Sequence, residues 1–104
     1  MNAEIVKYPS LEDKVVLISG GSTGIGHTIV KKFLEQGSKV AFLDIDEDGA
    51  SKLVNDFREF KYKAVFEKCD LTNIDQLKKS ISTIKSNLGK ISVLVNNAAN
   101  DQRH

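Results

Sequence analysis

Apolar residues along this chain follow two alternating rhythms. In residues 14–19 (KVVLIS) they run almost without a break, as in a strand covered on both faces. Over residues 24–36, Ile25, Ile29, Val30, Phe33 and Leu34 fall on one helical face, and Gly37 supplies a stop. Lys39–Asp44 (KVAFLD) predicts a second strand. Ala50, Leu53, Val54, Phe57 and Phe60 mark a second amphipathic helix, with Asp46 placed to cap its start. A third strand is predicted over residues 63–70. A third helix is carried by Ile74, Leu77, Ile81, Ile84 and Leu88, with Thr72 as N-cap and Gly89 at its end. Residues 91–95 (ISVLV) predict a fourth strand.

Strict alternation of strand and helix implies parallel strands joined by right-handed crossovers, an α/β arrangement. Four strands and three helices make up half of a doubly wound fold, which normally adds further strands and helices. The whole chain, 1–104, reads as a single partial domain, with residues 1–12 and the only proline, Pro9, as a lead-in. The fourth strand is expected to form an apolar edge, prone to association. On that reading the chain by itself is marginal or oligomeric, partnered by a like copy or by a missing C-terminal half.

Composition narrows the setting. The 104 residues carry a formal net charge of +1, with Lys and Arg spread throughout, so no basic face points to nucleic acid. Runs such as Val15-Val16-Leu17-Ile18 are too short to span a bilayer, and the N-terminus does not read as a secretory signal. A single cysteine, Cys69, fits a reducing compartment and reads as a small buried hydrophobe. The expectation is a cytoplasmic protein with no membrane, nucleic-acid or metal partner.

The chemistry begins where the first strand ends. In LISGGSTGIGHTIV, residues 17–30, Gly20, Gly21, Gly24 and Gly26 separate the strand from the helix. Amides at a helix start lack intrahelical partners and the dipole there favours anions, so this corner is built to accept a pyrophosphate. Glycines let the backbone approach the phosphates, and Ser22 and Thr23 add hydroxyl donors. The plainer alternative is a tight strand-to-helix turn. Asp44 favours the first reading, because it ends the second strand eighteen residues after Gly26, near the spacing of the acid that accepts adenosine ribose hydroxyls. A capping or surface role is its alternative. No Arg or Lys stands at 22, 23 or 45 to balance a 2′-phosphate. Two like charges at about 4 Å repel by roughly 1 to 4 kcal/mol, so NAD is expected over NADP. His27, on the first helical turn, reads as a solvated surface residue.

With these residues placed, the sequence resembles the short-chain dehydrogenase/reductase family, whose fold is a Rossmann-type parallel sheet with flanking helices. SGGSTGIG (19–26) is similar to that family's Thr-Gly-x-x-x-Gly-x-Gly, with Ser19 in the threonine position. CDLT (69–72) resembles its third-strand ending, where the resemblance implies adenine contacts from Asp70 and Leu71. LVNNAA (94–99) resembles Asn-Asn-Ala-Gly, with Ala99 replacing the final glycine. The resemblance there places Asn97 against the cofactor ribose and gives the Asn pair a part in stabilising the sheet. The implied cofactor set is Gly20, Ser22, Thr23, Gly24, Ile25, Gly26, Asp44, Asp70, Leu71 and Asn97.

The family's Tyr-x-x-x-Lys pair has no counterpart, since Tyr8 is followed four residues on by Glu12 and Tyr62 by Phe66. No catalytic residue is therefore carried over, and the 104-residue chain alone is expected to bind without reacting. The resemblance implies the NAD-binding portion of an oxidoreductase that moves hydride between NAD and a secondary alcohol or ketone. The ending NDQRH (100–104) resembles a substrate-side loop in members acting on sugars and polyols, or else is a frayed tail. A non-catalytic dinucleotide-binding module acting by association is the alternative. Methyl transfer and sugar-nucleotide epimerisation are disfavoured by the spacing from Gly20 to Gly24.

Overall fold

A computed structural model describes residues 8–22 and 24–97. Thr23, Ala99 and the 100–104 ending lie outside the described residues. After a short 3-10 turn at Pro9–Leu11 come β1 (Val15–Ser19), α1 (Gly24–Glu35), β2 (Lys39–Asp44), α2 (Glu47–Asp56), β3 (Val65–Lys68), α3 (Ile74–Leu88) and β4 (Ile91–Asn96). All pairings are parallel, in the order β3-β2-β1-β4. This is the expected Rossmann-type α/β sheet with flanking helices.

Topology dictates where each helix lies. The chain steps from β1 to β2 to β3 in one direction, so right-handed crossovers place α1 and α2 on the same face. It then returns past β1 to β4, which puts α3 on the other face. The side chains follow the two-residue period. Val16, Ile18, Val40 and Phe42 meet Val30 and Leu34 of α1 and Ala50 and Leu53 of α2. Val15, Leu17, Ala41 and Leu43 meet Ile84 of α3 and Cys69. β1 is buried along its whole length, as its unbroken apolar run implies. Cys69 is 1% exposed and packs as a hydrophobe.

Several boundaries move from their sequence-based positions. The cap of α3 is Asn73, whose side chain accepts from the Gln76 amide, whereas the Thr72 hydroxyl is committed to Asp70. β3 is shorter than 63–70 because β2 offers it only Ala41–Asp44 as partners. α1 ends at Glu35, where the amides of Gln36 and Gly37 turn back to the carbonyls of Phe33 and Leu34. α2 ends at Asp56, so Phe57 and Phe60 reach the core from the turn that follows and not from the helix. Ile25 and Ile74, counted on buried faces, are exposed at the first turns of their helices, before either helix runs over the sheet.

Among the described residues β4 forms one edge of the sheet, with half-buried and exposed residues alternating along it. Leu94 is 68% exposed, on the face that α3 covers farther along the sheet. Ile91, Val93 and Val95 are half-buried, so of the apolar residues expected along this strand Leu94 is the exposed one.

Candidate functional site

Every strand of a parallel sheet points its C-terminus the same way, so the ends of all four strands converge on one rim. The order of connection reverses between β1 and β4, and the crevice at such a reversal is where open α/β sheets bind ligands. The glycine loop leaves β1 at that reversal and Asn97 leaves β4 there. Asp44 stands one strand over and residues 69–71 two strands over.

The loop is tied to both neighbouring strands. Gly20 takes a φ of +70°, a conformation that side chains rarely adopt. Its amide donates to the Leu43 carbonyl at 2.6 Å, fixing the loop to β2. Its carbonyl accepts from the Asn97 side-chain amide, also at 2.6 Å, fixing it to β4. Gly26 lies beneath this bond. A Cβ there would overlap the Gly20 carbonyl oxygen and stand 2.7 Å from Asn97 Nδ2. Asn96, one residue earlier, accepts from the Ser19 hydroxyl at 2.9 Å, linking β4 to the end of β1. Both asparagines thus fasten the rim, and Asn97 holds the glycine loop itself.

Asp44 is half-buried, and its carboxylate draws donors from two directions. Oδ1 accepts from the amides of Ile45 (2.8 Å) and Asp46 (3.1 Å). Oδ2 accepts from the Ser22 hydroxyl (2.6 Å) and the Ser22 amide (3.2 Å). Ser22 is 5% exposed, so its hydroxyl faces the carboxylate of the next strand. The loop and the acid named from sequence are therefore one connected unit, a link that linear spacing does not reveal.

At the third strand, the Cys69 amide donates to the Asp44 carbonyl and draws residues 69–71 beside the same rim. Asp70 accepts from the amide (3.0 Å) and hydroxyl (2.6 Å) of Thr72. Those two bonds, led by the hydroxyl, hold its carboxyl below the usual carboxylate range. Leu71 is half-buried against the α3-side core. Ile25 and Gly24 are exposed at the start of α1, and a Cβ at Gly24 would meet only open space. The amides of a helix start lack intrahelical partners, and beside an open, Cβ-free surface they have the donor chemistry that suits a pyrophosphate.

One residue escaped sequence reasoning and a second was read differently. Lys68 is the register partner of Asp44 on β3, and its ammonium pairs with Glu47. Only strand register reveals that neighbour, because twenty-four positions separate the two residues. His27 is half-buried and its ring lies 4.8 Å from that of Phe57, which replaces the expected solvated side chain. The apolar turn after α2 reaches back to α1 and covers it.

Tyr62 belongs to the other end of the sheet. Its hydroxyl donates to Asp13 at 2.6 Å, and Lys61 bonds the same carboxylate at 2.9 Å. These contacts lower the Asp13 pKa, with the Tyr62 bond the larger cause, and raise those of Lys61 and Tyr62. The cluster clasps the segment before β1 to the one before β3, away from the glycine loop. Among the described residues, no group of three His, Cys, Asp or Glu side chains could hold a metal ion. None of their helices is long and apolar enough to cross a membrane.

Known proteins resemble this chain in sequence and fold. The family model described as short chain dehydrogenase matches residues 14–104. D-xylose 1-dehydrogenase of Caulobacter vibrioides is 39% identical over 97 residues, covering 93% of this chain and 38% of that protein. The probable galactose dehydrogenase of Rhizobium meliloti is 37% identical over 98 residues, with coverages of 93% and 38%. Among solved structures, the aldohexose dehydrogenase of Thermoplasma acidophilum superimposes with a TM-score of 0.69 at 43% identity, covering 86% of this chain and 31% of that one. A Serratia marcescens short-chain dehydrogenase/reductase gives 0.80 at 32% identity, with coverages of 86% and 37%. The chain thus spans less than two fifths of the length of these relatives. Family members are oxidoreductases that usually bind a nicotinamide dinucleotide. With the glycine loop, the strand-end acid and the asparagine pair on one rim of a parallel sheet, this chain belongs to the short-chain dehydrogenase family.

Proposed function

We propose that this chain is the NAD-binding portion of an oxidoreductase that moves hydride between NAD and a secondary alcohol or ketone, with sugars and polyols as the substrate class. The observation that carries this reading is the connected rim: Asn97 holds the Gly20 carbonyl while Ser22 joins the loop to Asp44. In this reading Gly20, Ser22, Thr23, Gly24, Ile25 and Gly26 hold the pyrophosphate and Asp44 the adenosine ribose. Asp70 and Leu71 border the adenine, and Asn97 stands beside the second ribose. A nicotinamide dinucleotide supplies a hydride acceptor or donor, while these residues bind and orient it. The sugar class rests on the names of the Caulobacter, Rhizobium and Thermoplasma relatives.

Charge at the rim supports NAD over NADP. The adenosine 2′-position would face the Asp44 carboxylate, and the nearby Lys68 ammonium is engaged by Glu47. NAD is therefore expected to raise the melting temperature more than NADP, and Asp44→Ala to narrow the difference. Greater stabilisation of the unmodified chain by NADP would overturn the assignment of Asp44.

A second reading is a non-catalytic dinucleotide-binding module that works by association with another chain in a cytoplasmic setting. The exposed Leu94 on edge strand β4 favours it. Retention of NAD binding with no oxidoreductase activity, in the longest natural form of the protein, would select it.

A further inference from the structure

The Asp44 carboxylate is already saturated. Two oxygens offer about four lone-pair positions, and four donors fill them: the amides of Ile45, Asp46 and Ser22, and the Ser22 hydroxyl. A ribose diol that binds here must replace at least one of them. Three are backbone amides, fixed by the turn after β2 and by the glycine loop. The fourth, at 2.6 Å, is the only one on a rotatable side chain, so rotation about a single bond releases it.

We propose that Ser22 is a positioning residue for cofactor selection: its hydroxyl holds Oδ2 of Asp44 until a free ribose 2′-hydroxyl takes its place. This inference rests on the dinucleotide reading and deepens it. A ribose 2′-hydroxyl is a donor and exchanges one hydrogen bond for another. A 2′-phosphate brings only acceptor oxygens at neutral pH, so it cannot substitute for the departing hydroxyl. Selection against it therefore has a hydrogen-bonding component besides charge repulsion. The Ser22 amide stays on Oδ2 and the two other amides stay on Oδ1, so removing the hydroxyl leaves the carboxylate aimed but short of one donor.

The test is calorimetric titration of the full chain with ADP and with 2′-deoxy-ADP, in unmodified, Ser22→Ala and Ser22→Thr forms. Ser22→Ala is expected to raise the preference for ADP over 2′-deoxy-ADP about threefold to tenfold, the scale of one competing hydrogen bond to a charged acceptor. Ser22→Thr, which keeps the hydroxyl, is expected to keep the unmodified preference. An unchanged or lower preference in Ser22→Ala overturns the proposal. Failure of the unmodified chain to bind either ligand overturns the dinucleotide reading and this inference with it. A measurement that needs no variant is the Ser22 Cβ resonance of the unmodified chain. It should move farther on adding ADP than on adding 2′-deoxy-ADP, and equal movement with both contradicts the proposal.

Discussion

Gly26→Ala is expected to destabilise the chain and to remove NAD-dependent stabilisation in the same variant. Intrinsic propensity points the other way, since alanine in a helix is worth about 1 kcal/mol over glycine. The local geometry decides the outcome. The added methyl would overlap the Gly20 carbonyl oxygen and crowd Asn97 Nδ2, so two strands' worth of anchoring must shift to admit it. Overpacking of this kind costs about 1–3 kcal/mol, and here the obstacle is backbone, which yields less readily than a side-chain tip. In a domain of this size each kcal/mol corresponds to roughly 4–8 °C of melting temperature. Moving α1 away from Gly20 also moves its first-turn amides, so NAD should no longer raise the melting temperature. A variant as stable as the unmodified chain, still stabilised by NAD, would show that Gly26 does not seat the helix against the loop.

Phe42→Ala is expected to have the largest effect on stability. Phe42 is fully buried in central strand β2, 5.4 Å from the ring of Phe66. Removing such a ring costs about 3–5 kcal/mol, against a total stability of about 5–15 kcal/mol for an ordinary domain. The loss also reaches the site. Gly21 approaches so closely that a Cβ there would lie 2.8 Å from Phe42 Cβ, so the ring forms the floor on which the glycine loop rests. Urea unfolding should show a much lower midpoint with a similar slope, and Phe42→Leu should recover most of the difference. A change below about 1 kcal/mol would mean that the site collapses without cost, contrary to the close packing described.

Residues whose environment depends on their immediate neighbours in sequence were the legible ones. The run Val15–Ser19 is buried on both faces because α1 and α2 pack on one side of the sheet and α3 on the other, and its composition says so. Asp46 caps α2 as read, its Oδ1 accepting from Gly49. Thr72 was misread because two polar residues compete at one helix start. Asp70 claims the threonine hydroxyl, which leaves Asn73 to cap. Helical periodicity placed Ile25 and Ile74 on apolar faces, yet the first turn of a helix overhangs the sheet rim and its side chains meet solvent.

The site was legible as a set of residues and not as a network. Spacing picked out Gly20, Gly26 and Asp44, the family resemblance added Asn97, and all of them lie at strand ends or at the start of α1 on one rim. That Ser22 bonds Asp44, that Asn97 bonds Gly20, and that Lys68 stands beside Asp44 are consequences of parallel register. Register is set by long-range packing, which no single stretch of sequence contains.

The most direct test of the central claim is a residue-resolved amide spectrum of the full chain titrated with NAD. If the glycine loop and its neighbours cradle the dinucleotide, the largest shifts will fall on Ser22, Gly24, Ile25 and Gly26, with smaller ones at Ile45 and Asn97. Absence of shifts at millimolar NAD would contradict the account. So would shifts confined to the cleft lined by Ala50, Val54, Arg58 and Phe66.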